Sequence, residues 1–325
     1  MADVTDAAFR RIIAKYSGDA GLNGFKAGRV LYTEFVSADG LCHPKGREKL
    51  LVDLQYDESE RPIVAQLFSA NPEKMEAAAK LVTELGFDGL DINMGCPDRT
   101  IEKQGAGAAL IKNPKLAREL IRAARQGVGT LPVSVKTRLG YSRDELETWL
   151  PALLAEKPAA ITIHARTRKE MSKAPARWER IRRAVEIRDG IQLGVLASKS
   201  LIIGNGDVED LADARKKAAE TGADGIMLGR AIFGNPFLFS KKKCPEGFEG
   251  LKLRLRVLVE HTKLFEQLLG EHKSFAIMKK HFKAYLSGVA PVEKVGDWHA
   301  LREQLMAAPD AMAVEQVVHN YLALL

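Results

Sequence analysis

Short apolar runs alternate with longer stretches in which apolar residues recur every three or four positions, and this rhythm organises most of the chain. The short runs predict strands over 30–34, 62–68, 89–93, 132–138, 160–164, 200–204 and 225–229. The spaced stretches predict helices over 72–85, 114–125, 144–155, 178–187 and 208–221, with another over 5–15 ahead of the first strand. Strands alternating with helices argue for a parallel sheet, and seven such units suggest a closed β/α barrel, whose usual length is about 250 residues. A doubly wound open sheet would carry an early GxGxxG turn, and the chain has none. The count is one short of eight, because a strand is expected before the 5–15 helix. The expected fold is therefore α/β, a TIM (β/α)8 barrel lacking its first strand, with the N-terminus truncated or its start placed late. Residues 192–197 are an additional apolar segment, readable as a loop or as a substitute stave.

The alternation stops after Pro236. Lys241–Lys243 and 245–250 read as a linker. Helical periodicity then covers 251–269, 274–286, 298–307 and 312–325, punctuated by Gly270, Gly288, Pro291 and Pro309. The expected organisation is a catalytic barrel over 1–240 and a small helical bundle over 241–325.

Composition narrows the class only a little. The chain has 325 residues, 46% of them hydrophobic, and no apolar run reaches the roughly 18 residues that span a membrane. The first residues carry acids and no apolar core, so no secretory leader is expected. Three widely spaced cysteines, Cys42, Cys96 and Cys244, with no CxxC pair, fit a reducing cytoplasm better than a disulfide framework or a structural zinc site. A net charge of +7 permits a polyanionic partner such as nucleic acid, and suits an ordinary basic surface equally well.

The chemistry gathers at the predicted strand ends. Residues 88–97 read Asp-Gly-Leu-Asp-Ile-Asn-Met-Gly-Cys-Pro, where Leu90, Ile92 and Met94 alternate with Asp91 and Asn93. Gly95 breaks the strand and Pro97 forces a turn, which leaves Cys96 just past a carboxyl end, where β/α barrels do chemistry. A thiol there can be a nucleophile, an acid or a metal ligand. The other ends present Gln66, Lys136 with Arg138, His164 with Arg166 and Arg168, Asn205-Gly206-Asp207, and Gly229-Arg230. Gln66 alone reads as well as a partner for backbone, and His164 as a core histidine. An inward lysine is harder to explain without an anion or electron-rich group beside it. Barrels commonly hold phosphate with the loops after their last two strands, and the glycines at 204, 206 and 229 with Arg230 suit that use. A flavin mononucleotide fits the set, with Lys136 near its pyrimidine end and Gln66 and Asn93 as amide partners.

Several motifs together resemble the tRNA-dihydrouridine synthases. They are 1–6 (Met-Ala-Asp-Val-Thr-Asp), Thr33-Glu34, 65–68 (Ala-Gln-Leu-Phe), 92–97 (Ile-Asn-Met-Gly-Cys-Pro), 105–111 (Gly-Ala-Gly-Ala-Ala-Leu-Ile), 135–140 (Val-Lys-Thr-Arg-Leu-Gly), 164–168 (His-Ala-Arg-Thr-Arg), 204–207 and 228–231. The resemblance spans nearly the whole barrel, and the helical C-terminal region looks like the family's RNA-binding domain. It implies an FMN enzyme that reduces a tRNA uridine with NADPH, in which the hydride goes to C6 of uracil and Cys96 protonates C5 from a mobile loop. It makes Met1, Ala2, Gln66, Lys136 and His164 flavin contacts, and Asn205, Gly206, Asp207, Gly229 and Arg230 the phosphate end. Asn93, Arg99, Lys103, Arg166, Arg168 and Lys169 would face the base or the RNA. Lys279, Lys280, His281 and Lys283, clustered on one predicted helix, would track RNA phosphates or form a solvated face. The resemblance is to a cytoplasmic enzyme expected to be monomeric, without a metal. The chain departs from the family's usual Pro-Met-Ala-Gly-Val-Thr-Asp start, and 17–28 and 193–200 look longer than the family's connections. Two rival readings stay open: another FMN barrel acting on a small cyclic substrate, such as a dihydroorotate-type oxidoreductase, and a tRNA-binding protein without catalysis.

Overall fold

A computed structural model describes residues 4–17, 29–192, 200–240, 244–287 and 298–324. Its strands are β1 (Leu31–Ser37), β2 (Ile63–Phe68), β3 (Gly89–Asn93), β4 (Val133–Arg138), β5 (Ala160–His164), β6 (Leu201–Asn205) and β7 (Gly225–Met227). They form one sheet in chain order, and every pair from β2 to β7 is parallel. This is the order of a TIM-type barrel with one stave missing, and among the described residues β1 and β7 are the sheet's edges. The helix after β5 runs Trp178–Gln192, past its expected end at 187, so Gln192 is helical. Residues 193–199 and 18–28 lie outside the described residues, as do Met1 and Ala2.

The packing divides the chain into two units. The sheet unit comprises Phe35–Leu51 and Ile63–Arg230. Its core consists of aliphatic strand residues such as Ile63, Leu67, Leu90, Ile92, Val135, Ile161 and Ile163, all fully buried. Strands covered on both faces need near-continuous apolar runs, which is how these segments read. The helices Pro72–Glu84 and Pro114–Val128 each begin on an asparagine cap followed by proline. Asn71 and Asn113 accept from backbone N–H groups three residues on, at 3.1 and 3.2 Å. These two helices pack so closely that a Cβ on Gly127 would stand 2.4 Å from the Glu76 carbonyl oxygen.

The helical unit draws on more of the chain than residues 241–325. It comprises Met1–Glu34, Val52–Pro62 and Ala231–Leu325. Ala8 and Ile12, from the helix Ala7–Ser17, share a core with Leu255, Leu258 and Phe265 of the helix Gly247–Leu269. Phe282, Leu305 and Val314 of later helices complete it. Arg10 is buried within this unit and donates through Nε to Glu60 at 2.6 Å and through Nη1 to the Thr5 carbonyl at 2.6 Å. Among the described residues no helix is long and apolar enough to cross a membrane.

Candidate active site

Strand register sets the polar ends side by side in the sheet unit. Gln66 pairs with Asp91, Asn93 with Lys136, Arg138 with His164, and His164 with Asn205. Residues separated by dozens of positions in sequence therefore stack in three successive levels toward the carboxyl ends, where barrel enzymes place their chemistry.

A directed chain of hydrogen bonds runs through these levels. Asn93 Oδ1 accepts from the Gly95 and Cys96 N–H groups at 3.1 and 2.9 Å, so its amide can face only one way. Its Nδ2 then donates to Gln66 Oε1 at 3.2 Å, and Gln66 Nε2 donates to Asp91 Oδ2 at 2.8 Å. Asp91 also accepts from Ser134 Oγ at 2.5 Å. Each oxygen of Asp91 thus has a hydrogen-bond partner, and the carboxylate accepts from both. Burial nevertheless pushes its pKa up to about 6, opposed by the Ser134 and Gln66 hydrogen bonds and the nearby Lys136 charge.

Cys96 stands at the end of that chain. Its turn is tied at several points. The Ala108 N–H donates to the Cys96 carbonyl at 2.9 Å, Arg138 Nε donates to the Gly95 carbonyl at 2.8 Å, and Thr137 Oγ1 donates to the Met94 carbonyl at 3.2 Å. Gly107 allows the close approach behind it, because a Cβ there would lie 2.8 Å from the Cys96 carbonyl oxygen. The thiol is partly buried against Phe68, Ile101 and Ala106. Burial raises its pKa further, so it remains a protonated thiol at neutral pH. Lys136 is moved the other way: burial, then the neighbouring Arg138, lower it to about 8. Among the described residues its hydrogen-bond partner is Asn205 Oδ1, at a long 3.5 Å.

The next layer is a chain of cations. His164 Nε2 lies 3.1 Å from Arg166 Nη1. Facing a guanidinium, that nitrogen must accept, which puts the ring proton on Nδ1. Burial and then Lys136, Arg138, Arg166 and Arg230 hold the imidazole far below its ordinary pKa, so it is neutral. Arg166 is itself buried, donating to the Ala174 carbonyl and pairing with Asp207. Arg230 reaches the other Asp207 oxygen at 2.8 Å from an exposed position. Burial works against the Asp207 carboxylate, but the Ala176 N–H and Arg166 hold its pKa below the usual range. Gly206 adopts φ +126°, and a Cβ there would meet Ala176 at 2.9 Å and the His164 ring at 3.1 Å. Nothing lies within 4 Å of a Cβ built on Gly229. An under-partnered cation at Lys136 and open backbone at Gly229 are what a flavin mononucleotide would need at its ring and phosphate ends.

The remaining expected residues divide. Arg99 and Lys103 are exposed on the short helix that follows the Cys96 turn. Arg168 pairs with Glu102 of that helix, at 2.7 Å through Nε, and lies 5.4 Å from the Tyr141 ring centroid. Asn205 spends its Nδ2 on the Met227 carbonyl at 2.8 Å. Lys279 and Lys280 lie in the helical unit, where Lys280 is exposed. His281 does not share that basic face: it is fully buried, 5.3 Å from the Phe9 ring and 4.7 Å from the His261 ring, centroid to centroid. Sequence reasoning passed over Asp91 and Ser134. A carboxylate in the middle of an apolar strand was the available signal for Asp91.

A family model, dihydrouridine synthase (Dus), matches residues 1–321. The chain belongs to the dihydrouridine synthase family. Its members are flavin-dependent oxidoreductases that modify tRNA. A relative described as "Probable tRNA-dihydrouridine synthase 2" of Bacillus subtilis (strain 168) is 40% identical over 295 residues, covering 89% of this chain and 83% of that protein. A "Probable tRNA-dihydrouridine synthase" of Staphylococcus aureus (strain MRSA252) is 36% identical over 311 residues, covering 94% and 86%. The old yellow enzyme homologue from Zymomonas mobilis aligns with a TM-score of 0.48 at 14% identity, over 76% of this chain and 87% of that one.

Proposed function

We propose that this dihydrouridine synthase saturates the C5–C6 bond of a uridine in tRNA, with FMN held at the strand ends, NADPH as reductant and Cys96 as the acid. Bound FMN supplies the hydride that C6 receives. Gln66, Lys136 and His164 hold the ring region, and the backbone of 205–207 and 229–230 with Arg230 holds the phosphate. Lys136, cationic below about pH 8, stabilises negative charge beside it. The Cys96 thiol gives its proton to C5, and the thiolate left behind is reprotonated from solvent. A positioned acid contributes roughly 10²–10⁴-fold to such a step. The target base must leave its stack to reach this layer. Arg99 and Lys103, exposed beside the Cys96 turn, and Lys279 and Lys280 in the helical unit, meet RNA phosphates. The protein works as a cytoplasmic monomer.

The observation that carries the reading is the Cys96 turn, which holds a thiol protonated by burial and fixes it through Asn93 and Arg138. The test is anaerobic incubation of purified protein with FMN, NADPH and tRNA lacking dihydrouridine, in parallel with free uridine and dihydroorotate. Dihydrouridine forms in tRNA alone. Turnover of the small pyrimidines without turnover of tRNA would refute the assignment.

A further inference from the structure

We propose that the loops after β4 and β5 form a second anion site, which seats a backbone phosphate of the RNA whose base is being reduced. The proposal rests on the reading of this chain as a tRNA-uridine reductase, and deepens it. A cavity of about 530 Å³ opens between these loops, with Arg143, Lys169 and Arg177 on its walls beside the side chains of Ser142 and Thr167. That volume lies within the range of ordinary ligand sites, about 300–1,000 Å³.

The charge in the cavity is not balanced from within. Its two carboxylates are already committed. Asp144 accepts from Arg180 at 2.8 and 3.1 Å and from the Leu146 N–H at 3.1 Å. Glu170 accepts from the Thr167 N–H at 2.7 Å and from Arg177 at 3.0 Å. Arg143 and Lys169 are exposed, and among the described residues neither has an ion-pair partner. The Arg177 Nε is buried without a hydrogen-bond partner. Unanswered cations and a buried, unspent donor around one cavity call for an anion with several acceptor oxygens.

The loops are built to keep this shape. Gly140 lets the first loop fold back on itself, since a Cβ there would fall 1.9 Å from the Arg143 carbonyl oxygen. The Arg168 and Lys169 N–H groups donate to the Gly140 and Tyr141 carbonyls, both at 2.9 Å, stitching the second loop to the first. The groove is also coupled to the chemistry. Arg138 donates through Nε to the Gly95 carbonyl at 2.8 Å and through Nη1 to the Thr167 carbonyl at 3.1 Å. One guanidinium therefore fixes both the Cys96 turn and the groove. A nucleotide whose base reaches Cys96 carries its backbone along this side of the mouth, where a phosphodiester meets Arg143 and Lys169. The phosphates of NADPH share that chemistry, and the experiment separates the two sources.

The test is the full-length double variant R143E/K169E, with R143Q/K169Q alongside, both at exposed positions. Affinity for tRNA is measured across a salt series, and NADPH-dependent flavin reduction is measured without tRNA. The expected result is tRNA binding weakened about tenfold or more by charge reversal, less by neutralisation, with the slope of log affinity against log salt reduced by about 1–2. Flavin reduction by NADPH and the melting temperature stay at the wild-type values. Unchanged tRNA affinity and slope in both variants would overturn the proposal. So would a rise in the KM for NADPH with tRNA affinity intact, which would give the groove to the dinucleotide. Wild-type protein that neither binds nor reduces tRNA defeats the functional reading itself, whereas a wild type that reduces tRNA beside variants that bind it normally defeats only the groove.

Discussion

Two buried networks, one in each unit, handle charge in opposite ways. In the helical unit two sets of ions answer one another. Arg10 meets Glu60 at 2.6 Å, and Lys273 lies 2.6 Å from both Glu34 and Asp53. In the sheet unit the buried polar groups form a chain with one open end. Asp91, Gln66 and Asn93 are satisfied in sequence, while Lys136 keeps only a 3.5 Å contact and Cys96 keeps its proton. A closed network fixes a fold, because removing either partner strands the other in low dielectric. An open network leaves binding and proton-transfer capacity to spend on something that is not protein. The difference lies in completeness of pairing, since both networks desolvate their charges.

The open end gives the largest expected effect. Cys96→Ala should lower single-turnover tRNA reduction by about 10²–10⁴-fold, while FMN content and NADPH oxidation persist. Dihydrouridine formed at the wild-type rate would take the acid role from Cys96. The closed network gives an effect on stability instead. Lys273→Met leaves Glu34 and Asp53 facing each other and should cost about 3–5 kcal/mol in urea unfolding. Replacing all three with apolar residues should recover most of that loss. If the single variant unfolds like wild type, the helical unit does not depend on this network.

Much of this architecture is legible without coordinates, and the rest has identifiable reasons for being hidden. The strands and helices could be placed because their apolar spacing differs, and the strand ends could be nominated because a barrel gathers them. Pairing could not be read. Arg166 is nominated by its position alone, and only register reveals that Asp207, from the next strand end, stands against it. Arg168 finds Glu102 in the same way. His281 sits among lysines in sequence, yet its helical phase turns it inward to Phe9 and His261, while Lys280 stays exposed. Ala7–Ser17 resembles the opening helix of a barrel by pattern, and only its packing against Gly247–Leu269 assigns it to the helical unit.

The buried histidines supply a smaller, pH-dependent effect. Burial, then the Lys280 charge, lowers His281 to about 4 from its ordinary 6.5. The unfolded chain therefore takes up the proton first as pH falls. The contribution of His281 to stability is lost progressively from about pH 6.5 down to about 4, by about 3 kcal/mol. Asp6, raised to about 6 by burial, acts with the opposite sign. It is common to both proteins when wild type is compared with His281→Phe. The difference in melting temperature between the two should move in favour of the variant between pH 7 and pH 4.5. A constant difference would mean that His281 is not the group being charged.

The finest test of the open chain is Asp91, where two substitutions should part company. Asp91→Ala removes the acceptor for Gln66 Nε2 and should cost about 1–3 kcal/mol, loosening Gln66, Asn93 and the Cys96 turn together. Asp91→Asn need not break the chain. Its oxygen can face Gln66 while its amide donates to Ser134, whose hydroxyl rotates to accept. What it removes is charge, and Asp91 is one of the groups holding up the Lys136 pKa. Lys136 should then lose its proton at lower pH, and the alkaline limb of the tRNA-reduction profile, set by a group titrating near pH 8, should move toward neutrality. At pH 6.5 the Asn variant should approach wild-type turnover while the Ala variant stays slow. If the two variants are equally impaired at every pH, Asp91 acts only as a packing element and the hydrogen-bond chain to Cys96 does not position the acid.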